Sequence, residues 1–90
     1  MNIFEMRPTT DCWCGNYPDN KVMVYMNESR NRNAEGAWAV CWVVGVTGND
    51  DCMCNKGYFD KKEARAVYDR ILMADDVTKD FCINEIGLEW

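Results

Sequence analysis

Gly57 to Met73 reads GYFDKKEARAVYDRILM, and the fold turns on this stretch. Asp60 is a short side-chain acceptor placed just before an apolar periodicity, which predicts a helix N-cap. Glu63 follows three residues later and completes the capping-box pattern. Apolar side chains then recur at Ala64, Val67, Tyr68, Ile71 and Leu72, the spacing of a single helical face. Lys61, Lys62, Arg65, Asp69 and Arg70 fall on the opposite face. A helix this short is marginal alone in water, so its stripe must dock on something.

The flanking chain supplies a sheet for it. In Lys21 to Met26, Val22, Val24 and Met26 alternate on one side against Met23 and Tyr25 on the other. In Ala37 to Val46, Trp38, Val40, Trp42 and Val44 form a large-residue face, and Ala37, Ala39, Cys41 and Val43 form a small one. A strand apolar on both sides belongs in the middle of its sheet. The helix is expected on one of these faces, with the other left partly open to a partner. Residues 2–6 (NIFEM) predict a short strand, and Pro8 ends its pairing for want of an amide donor. Residues 9–20 and 47–50 read as turns. Residues 27–36 (NESRNRNAEG) read as a polar loop or long hairpin tip, mobile and carrying Arg30 and Arg32. Cys52 to Phe59 predicts a strand leading to Asp60, and residues 80–88 a last strand. The expected fold is a single α+β domain, residues 1–90: a small antiparallel sheet of three to five strands with one amphipathic helix packed on one face.

Charge and composition narrow the function. The net charge is −5, of which −1 lies in residues 1–45 and −4 in residues 46–90. From Asp75 onward Asp75, Asp76, Asp80, Glu85 and Glu89 stand against Lys79 alone. An acidic chain repels phosphate, so direct nucleic-acid binding is not expected and a basic partner is favoured. The plain alternative is that the acids keep the chain soluble. No apolar run reaches the roughly 18 residues of a membrane span, so no membrane partner is expected. The N-terminal MNIFEMRPTT lacks an apolar signal core, and with Met1 in place a cytoplasmic protein is expected.

The six cysteines include two short pairs, Cys12-Trp13-Cys14 and Cys52-Met53-Cys54. Four thiolates from Cys12, Cys14, Cys52 and Cys54 would make a tetrahedral zinc site, and a structural zinc would stabilise a domain this small. Zinc ribbons usually separate the members of each pair by two residues or more, whereas here the spacer is one; Gly15 and Asn55 would have to allow the bend. A disulfide between the two pairs is a second reading, and a set of reduced thiols a third. A thiol-redox role for the pairs is a further one. Cys41 and Cys82 lie within strand patterns and are expected in the core. No cofactor other than this zinc is expected.

Catalysis has little support. The chain has no histidine, which removes Cys–His and Ser–His pairs, and Gly45, Gly48 and Gly57 do not form a phosphate-binding pattern. Trp38 and Trp42 are expected in the core, while Trp13, in a loop, is either an exposed anchor for a partner or tucked onto the sheet. In size, acidity and lack of a catalytic motif the chain resembles the small phage-encoded inhibitors of bacterial defence, such as anti-CRISPR proteins. The resemblance is one of type and transfers no residue. It implies a non-enzymatic inhibitor, active in the host-cell cytoplasm, that covers a nucleic-acid-binding protein; the acidic surface available for this is Asp75, Asp76, Asp80, Glu85 and Glu89, and Trp13, read above from its place in a loop, would be a further contact. Homo-oligomers through an exposed edge strand are also open.

Overall fold

The alternating stretches pair as four antiparallel strands in the order β1-β2-β3-β4. These are β1 (Asn2–Pro8), β2 (Lys21–Arg32), β3 (Trp38–Asn49) and β4 (Cys52–Tyr58), followed by helix α1 (Lys61–Leu72). The computed structural model describes residues 2–13, 17, 19–49 and 52–90. The architecture is the expected α+β one, a four-stranded sheet with α1 against one face.

Register fixes the two faces. Val24 pairs with Val46 and Met26 with Val44, and Val46 pairs in turn with Cys54. These side chains face α1, which meets them with Ala64, Tyr68 and Ile71. Val22, Val24, Met26, Val44, Val46 and Ile71 have no exposed surface. Asp60 caps α1 through its Oδ1, which accepts from the Lys62 amide at 2.9 Å. The capping box is only half realised: among the described residues Glu63 makes no return bond to Asp60.

Burial of two tyrosines in this layer has a pH consequence. Tyr68 on α1 and Tyr58 on β4 are both buried. Loss of solvent raises both phenols above their ordinary range, with Glu5 adding to the effect on Tyr68 and Glu63 to that on Tyr58. A raised folded-state value means that the native state holds the proton more tightly than the unfolded chain. The contribution is therefore intact below the free tyrosine value of about 10 and is lost as pH rises through the folded values. Chemical denaturation midpoints should be flat on this account up to about pH 10 and fall above it, and Tyr68→Phe should blunt the fall.

Four expectations need correction. Residues 47–49, read as part of a turn, instead end β3, where Thr47 pairs with Met53 and Asn49 with Cys52. Residues 27–32 continue β2, because Ser29, Arg30, Asn31 and Arg32 pair with Cys41, Val40, Ala39 and Trp38, so of the expected loop or hairpin tip only the turn from Asn33 to Ala37 remains. β1 pairs only with residues 21–27 of β2 and β4 only with residues 42–49 of β3, so the distal halves of β2 and β3 project as a two-stranded arm. Trp38 belongs to that arm and is 58 % exposed, where a core position was expected. The Arg32 guanidinium lies 4.9 Å above its ring. Finally, residues 80–88 make no strand. Phe81–Ile86 forms one π-helical turn, ended by Gly87, and only Glu89 bridges to Asn55 on β4.

The segment after α1 is tied back to the loop after β1. Asp76 accepts from the Thr10 amide at 2.8 Å and from the Thr10 hydroxyl at 2.6 Å. Val77 donates its amide to Pro8 O at 3.1 Å, and the Lys79 amide donates to the Asp11 carboxylate. These bonds close the open end of the two-layer core over Trp13 and Val77, both fully buried.

Candidate functional site

With α1 on one face, no helix or strand among the described residues forms a layer on the other face of the sheet. By register it carries Asn2, Phe4 and Met6 from β1; Met23, Tyr25 and Asn27 from β2; Val43, Gly45 and Thr47 from β3; and Met53 and Asn55 from β4. Phe4 is 64 % exposed, and Met6 and Met53 are also exposed. A groove of about 320 Å³ crosses this face, lined by residues of all four strands and by Tyr17. The lining includes Phe4, Met23, Tyr25 and Met53, with Asn2, Asn27 and Thr47 as its polar groups. Among the described residues no acidic or basic side chain lines it, although the chain as a whole is strongly charged.

Gly45 shapes the groove. Tyr25 pairs with Gly45 across the strands, and the missing side chain lets the Tyr25 ring lie over the β3 backbone. A methyl group built on Gly45 would overlap the hydroxyl end of Tyr25 and sit 2.9 Å from Asn55 Cβ. The Asn55 side-chain amide donates to the Tyr25 hydroxyl at 3.4 Å, which holds the ring across the sheet. The result is a flat aromatic floor between flexible thioethers, a surface that adapts to apolar partners. The sequence pattern names the two faces of β3 without deciding which is open; the structure opens the one that carries Val43, and the alternation of Met23 and Tyr25 opposite Val22, Val24 and Met26 is the matching signal in β2.

The predicted acidic residues divide. Asp75, Asp80, Glu85 and Glu89 are exposed, and among the described residues none of them pairs with a cation. Asp80 accepts from the Asn84 side chain at 2.6 Å. Asp76 is engaged by Thr10 and has a structural task. Trp13, the one aromatic assigned to partner binding, takes the buried of its two expected positions. It is fully enclosed, its indole N–H donates to the Thr9 hydroxyl at 3.1 Å, and Trp90 packs against it with ring centroids 6.0 Å apart. Lys79 Nζ lies 5.7 Å from the Trp13 ring and 5.5 Å from that of Trp90, a cation held between two indoles.

The three described members of the proposed zinc set do not share one environment. Cys12 is exposed and Cys54 is buried, both as free thiols. Cys52 is disulfide-bonded, so its sulfur is not a thiolate in this structure. Cys14 lies outside the described residues. Among the described residues no three His, Cys, Asp or Glu side chains converge as metal ligands. Cys41 and Cys82 are buried, as expected. Among the described residues no helix is long and apolar enough to cross a membrane.

Fold and groove together define a small two-layer α+β domain with one sheet face that no described helix or strand covers. No protein-family model, no curated protein and no solved structure matches the chain.

Proposed function

We propose that the chain is a non-enzymatic protein-binding module that takes an extended, uncharged and apolar segment of a partner protein on the open face of its sheet. The observation that carries this reading is the groove lined by Phe4, a large aromatic left 64 % exposed at the margin of the sheet, with no charged side chain among its described lining residues. An uncovered aromatic and methionine face is a surface that gains by being covered. β1 is an edge strand, so an extended segment can add to it by main-chain hydrogen bonds while alternate side chains enter the groove. The Val77–Pro8 bond closes only the far end of that edge.

The test is selection of peptides from a random displayed library against the immobilised chain, followed by affinity measurement on Phe4→Asp and Met53→Asp variants. The expected peptides are apolar and uncharged at alternate positions. Each variant should weaken them by about tenfold or more, roughly 1.4 kcal/mol, with circular dichroism unchanged. Peptides that bind both variants as well as the parent chain would remove the open face from consideration.

A second reading is supported by the unpaired exposure of Asp75, Asp80, Glu85 and Glu89. Here the partner is a basic protein, including a nucleic-acid-binding one whose phosphate-contacting surface these acids cover, and the chain acts as its inhibitor. The same selection distinguishes the two. Basic peptides whose affinity falls steeply with salt and with Asp75→Lys, Asp80→Lys and Glu85→Lys would support the acidic surface. Asp76 is unsuited to that test, because its reversal breaks the Thr10 bonds as well as the charge.

A further inference from the structure

Asn55 carries two side-chain amide hydrogens and divides them between two residues of the groove. Its Nδ2 donates to the Tyr25 hydroxyl at 3.4 Å and to Met53 Sδ at 3.8 Å. Register explains the meeting. Asn55 and Tyr25 pair with Gly45 from opposite sides, and Met53 lies two residues before Asn55 on the same face of β4. With no side chain at Gly45, the Asn55 amide reaches across β3 to the Tyr25 ring. The Asn55 backbone is pinned, because it exchanges two 2.9 Å hydrogen bonds with Glu89. Its side chain is the part that can turn, and the relative strength of the two acceptors decides where it points. A thioether is the weaker acceptor, so the amide holds Tyr25. Neither contact is short, so a stronger acceptor at Met53 would capture it.

We propose that Met53 is an oxidation site that switches the groove: conversion of its thioether to the sulfoxide by a hydroperoxide draws the Asn55 amide away from Tyr25 and makes the open face unfit for apolar segments. Met53 is 37 % exposed and lines the groove together with Tyr25. The step is an oxygen transfer. The Met53 sulfur attacks the terminal oxygen of the hydroperoxide; an S–O bond forms and the O–O bond breaks. The departing oxygen takes the proton and leaves as water or an alcohol. The thioether loses two electrons and the hydroperoxide gains them.

The sulfoxide oxygen is a full acceptor where the sulfur was a weak one. On the amide side of Sδ it comes within ordinary N–H···O reach of Asn55 Nδ2. Two changes then fall on one groove. Tyr25 loses the contact that holds its ring across the sheet, and Met53 turns from a flexible apolar side chain into a polar one. The other methionines show why the effect belongs to Met53. Met26 is fully buried on the helix side, and Met73 is exposed at the end of α1, away from the groove. Met6 and Met23 share the open face and pair with each other, but among the described residues only Met53 has its sulfur on the Asn55 amide. The effect on a partner rests on the binding role proposed above; the change at Tyr25 does not.

The experiment treats the full chain with dilute hydrogen peroxide, in a Cys12→Ser background so that the exposed thiol does not consume the oxidant. Peptide mapping orders the methionines, and NMR follows the Asn55 side-chain amide and the Tyr25 ring. Met73 and Met53 should gain oxygen while Met26 does not. As Met53 oxidises, the Asn55 amide signals and the Tyr25 ring signals should move together, and methionine sulfoxide reductase should return both. Apolar peptides from the selection above should bind the oxidised chain about tenfold or more weaker than before treatment, and Met73→Leu should keep that drop. Met53→Leu keeps the bulk without the oxidisable sulfur. Its Asn55 and Tyr25 signals should not respond to peroxide, and its affinity, whatever the starting value, should fall by less than about threefold. Asn55 signals that stay fixed while Met53 oxidises, a Met53 that resists peroxide until Met26 yields, or an equal loss of affinity in Met53→Leu overturns the proposal. Should the selection return no apolar peptide, the binding role fails and the NMR response alone decides the oxidation site.

Discussion

Replacing Gly48 by alanine should destabilise this protein by about 3 kcal/mol or more, a large share of the roughly 5–15 kcal/mol that holds a small domain together. Gly48 lies in β3 at the register irregularity between Thr47 and Asn49, and Trp13 passes directly over it. A methyl group at Gly48 would overlap Trp13 Cβ and come within 3.1 Å of Cγ and 3.4 Å of Cα. The obstacle is therefore the root of the side chain and its backbone, which cannot rotate away. Relief requires the loop after β1 to lift. Lifting it withdraws a fully buried indole from the core and strains the Thr10–Asp76 and Thr9–Trp13 hydrogen bonds. Loss of a buried tryptophan alone is worth about 3–5 kcal/mol. Urea denaturation of Gly48→Ala against the parent chain measures the effect. The geometry adds a sharper expectation: Trp13→Ala retains the offending Cβ and so should not rescue Gly48→Ala. A Gly48→Ala variant within about 0.5 kcal/mol of the parent would show that Trp13 does not sit on β3 as described.

Why some of this was legible in the chain and some was not follows from how each element earns its stability. Helix α1 and the cores of β2 and β3 announce themselves because one side of each is buried, and burial writes a period into the residue types. In the arm formed by residues 28–32 and 38–41, residues 28–32 are exposed throughout, so this polar half shows no alternation. Its pairing rests on backbone hydrogen bonds and on contacts such as Arg32 over Trp38, which no periodicity reports. The segment 80–88 misled in the opposite way. Phe81, Cys82, Ile83 and Ile86 have strand-like composition, yet Cys82 alone among them is fully buried, and the turn is set by the bonds that Cys82 O accepts from Gly87 and Leu88. Trp13 could not be placed from sequence because its cover comes from distant residues: the methyl-free backbone of Gly48 and the acceptor of Thr9 close at hand, but also Trp90 and Lys79 at the far end of the chain.

The candidate site was partly legible for the same reason. That Met23 and Tyr25 lie opposite the Val22–Val24–Met26 face is readable, and so is the consequence that one layer of helix covers only one side. The groove itself depends on Gly45 facing Tyr25, a cross-strand pair fixed by register over a hairpin of twelve-residue strands. A one-residue slip in that register would place Gly45 beside a buried valine and leave no groove. The acidic residues were correctly seen as numerous, but spacing could not separate Asp76, which is consumed by Thr10, from its exposed neighbours Asp75 and Asp80.

The second large effect is expected at Ile71. Its side chain has no exposed surface and stands at the end of the α1 stripe, after Ala64 and Tyr68. Ile71→Ala should cost about 2–5 kcal/mol, the lost transfer energy plus that of the cavity left behind. The upper part of that range applies where the surroundings cannot collapse. Here they are valines with few rotamers on a hydrogen-bonded sheet, which yield little. At about 4–8 °C per kcal/mol for a domain of this size, the melting temperature should fall on the order of 15 °C or more. Met73, two residues on and 82 % exposed, provides the control, and Met73→Ala should change stability by no more than about 0.5 kcal/mol. The pair also bears on the open face. If α1 is held chiefly by Ile71 and its neighbours on the covered face, Ile71→Ala should loosen the helix while the Tyr25–Asn55 contact on the far side keeps its geometry up to the point of global unfolding. Hydrogen exchange that speeds first in α1 of Ile71→Ala, and only later in β2 and β3, would mark the helix as the weaker layer and the sheet as the rigid platform that carries the groove.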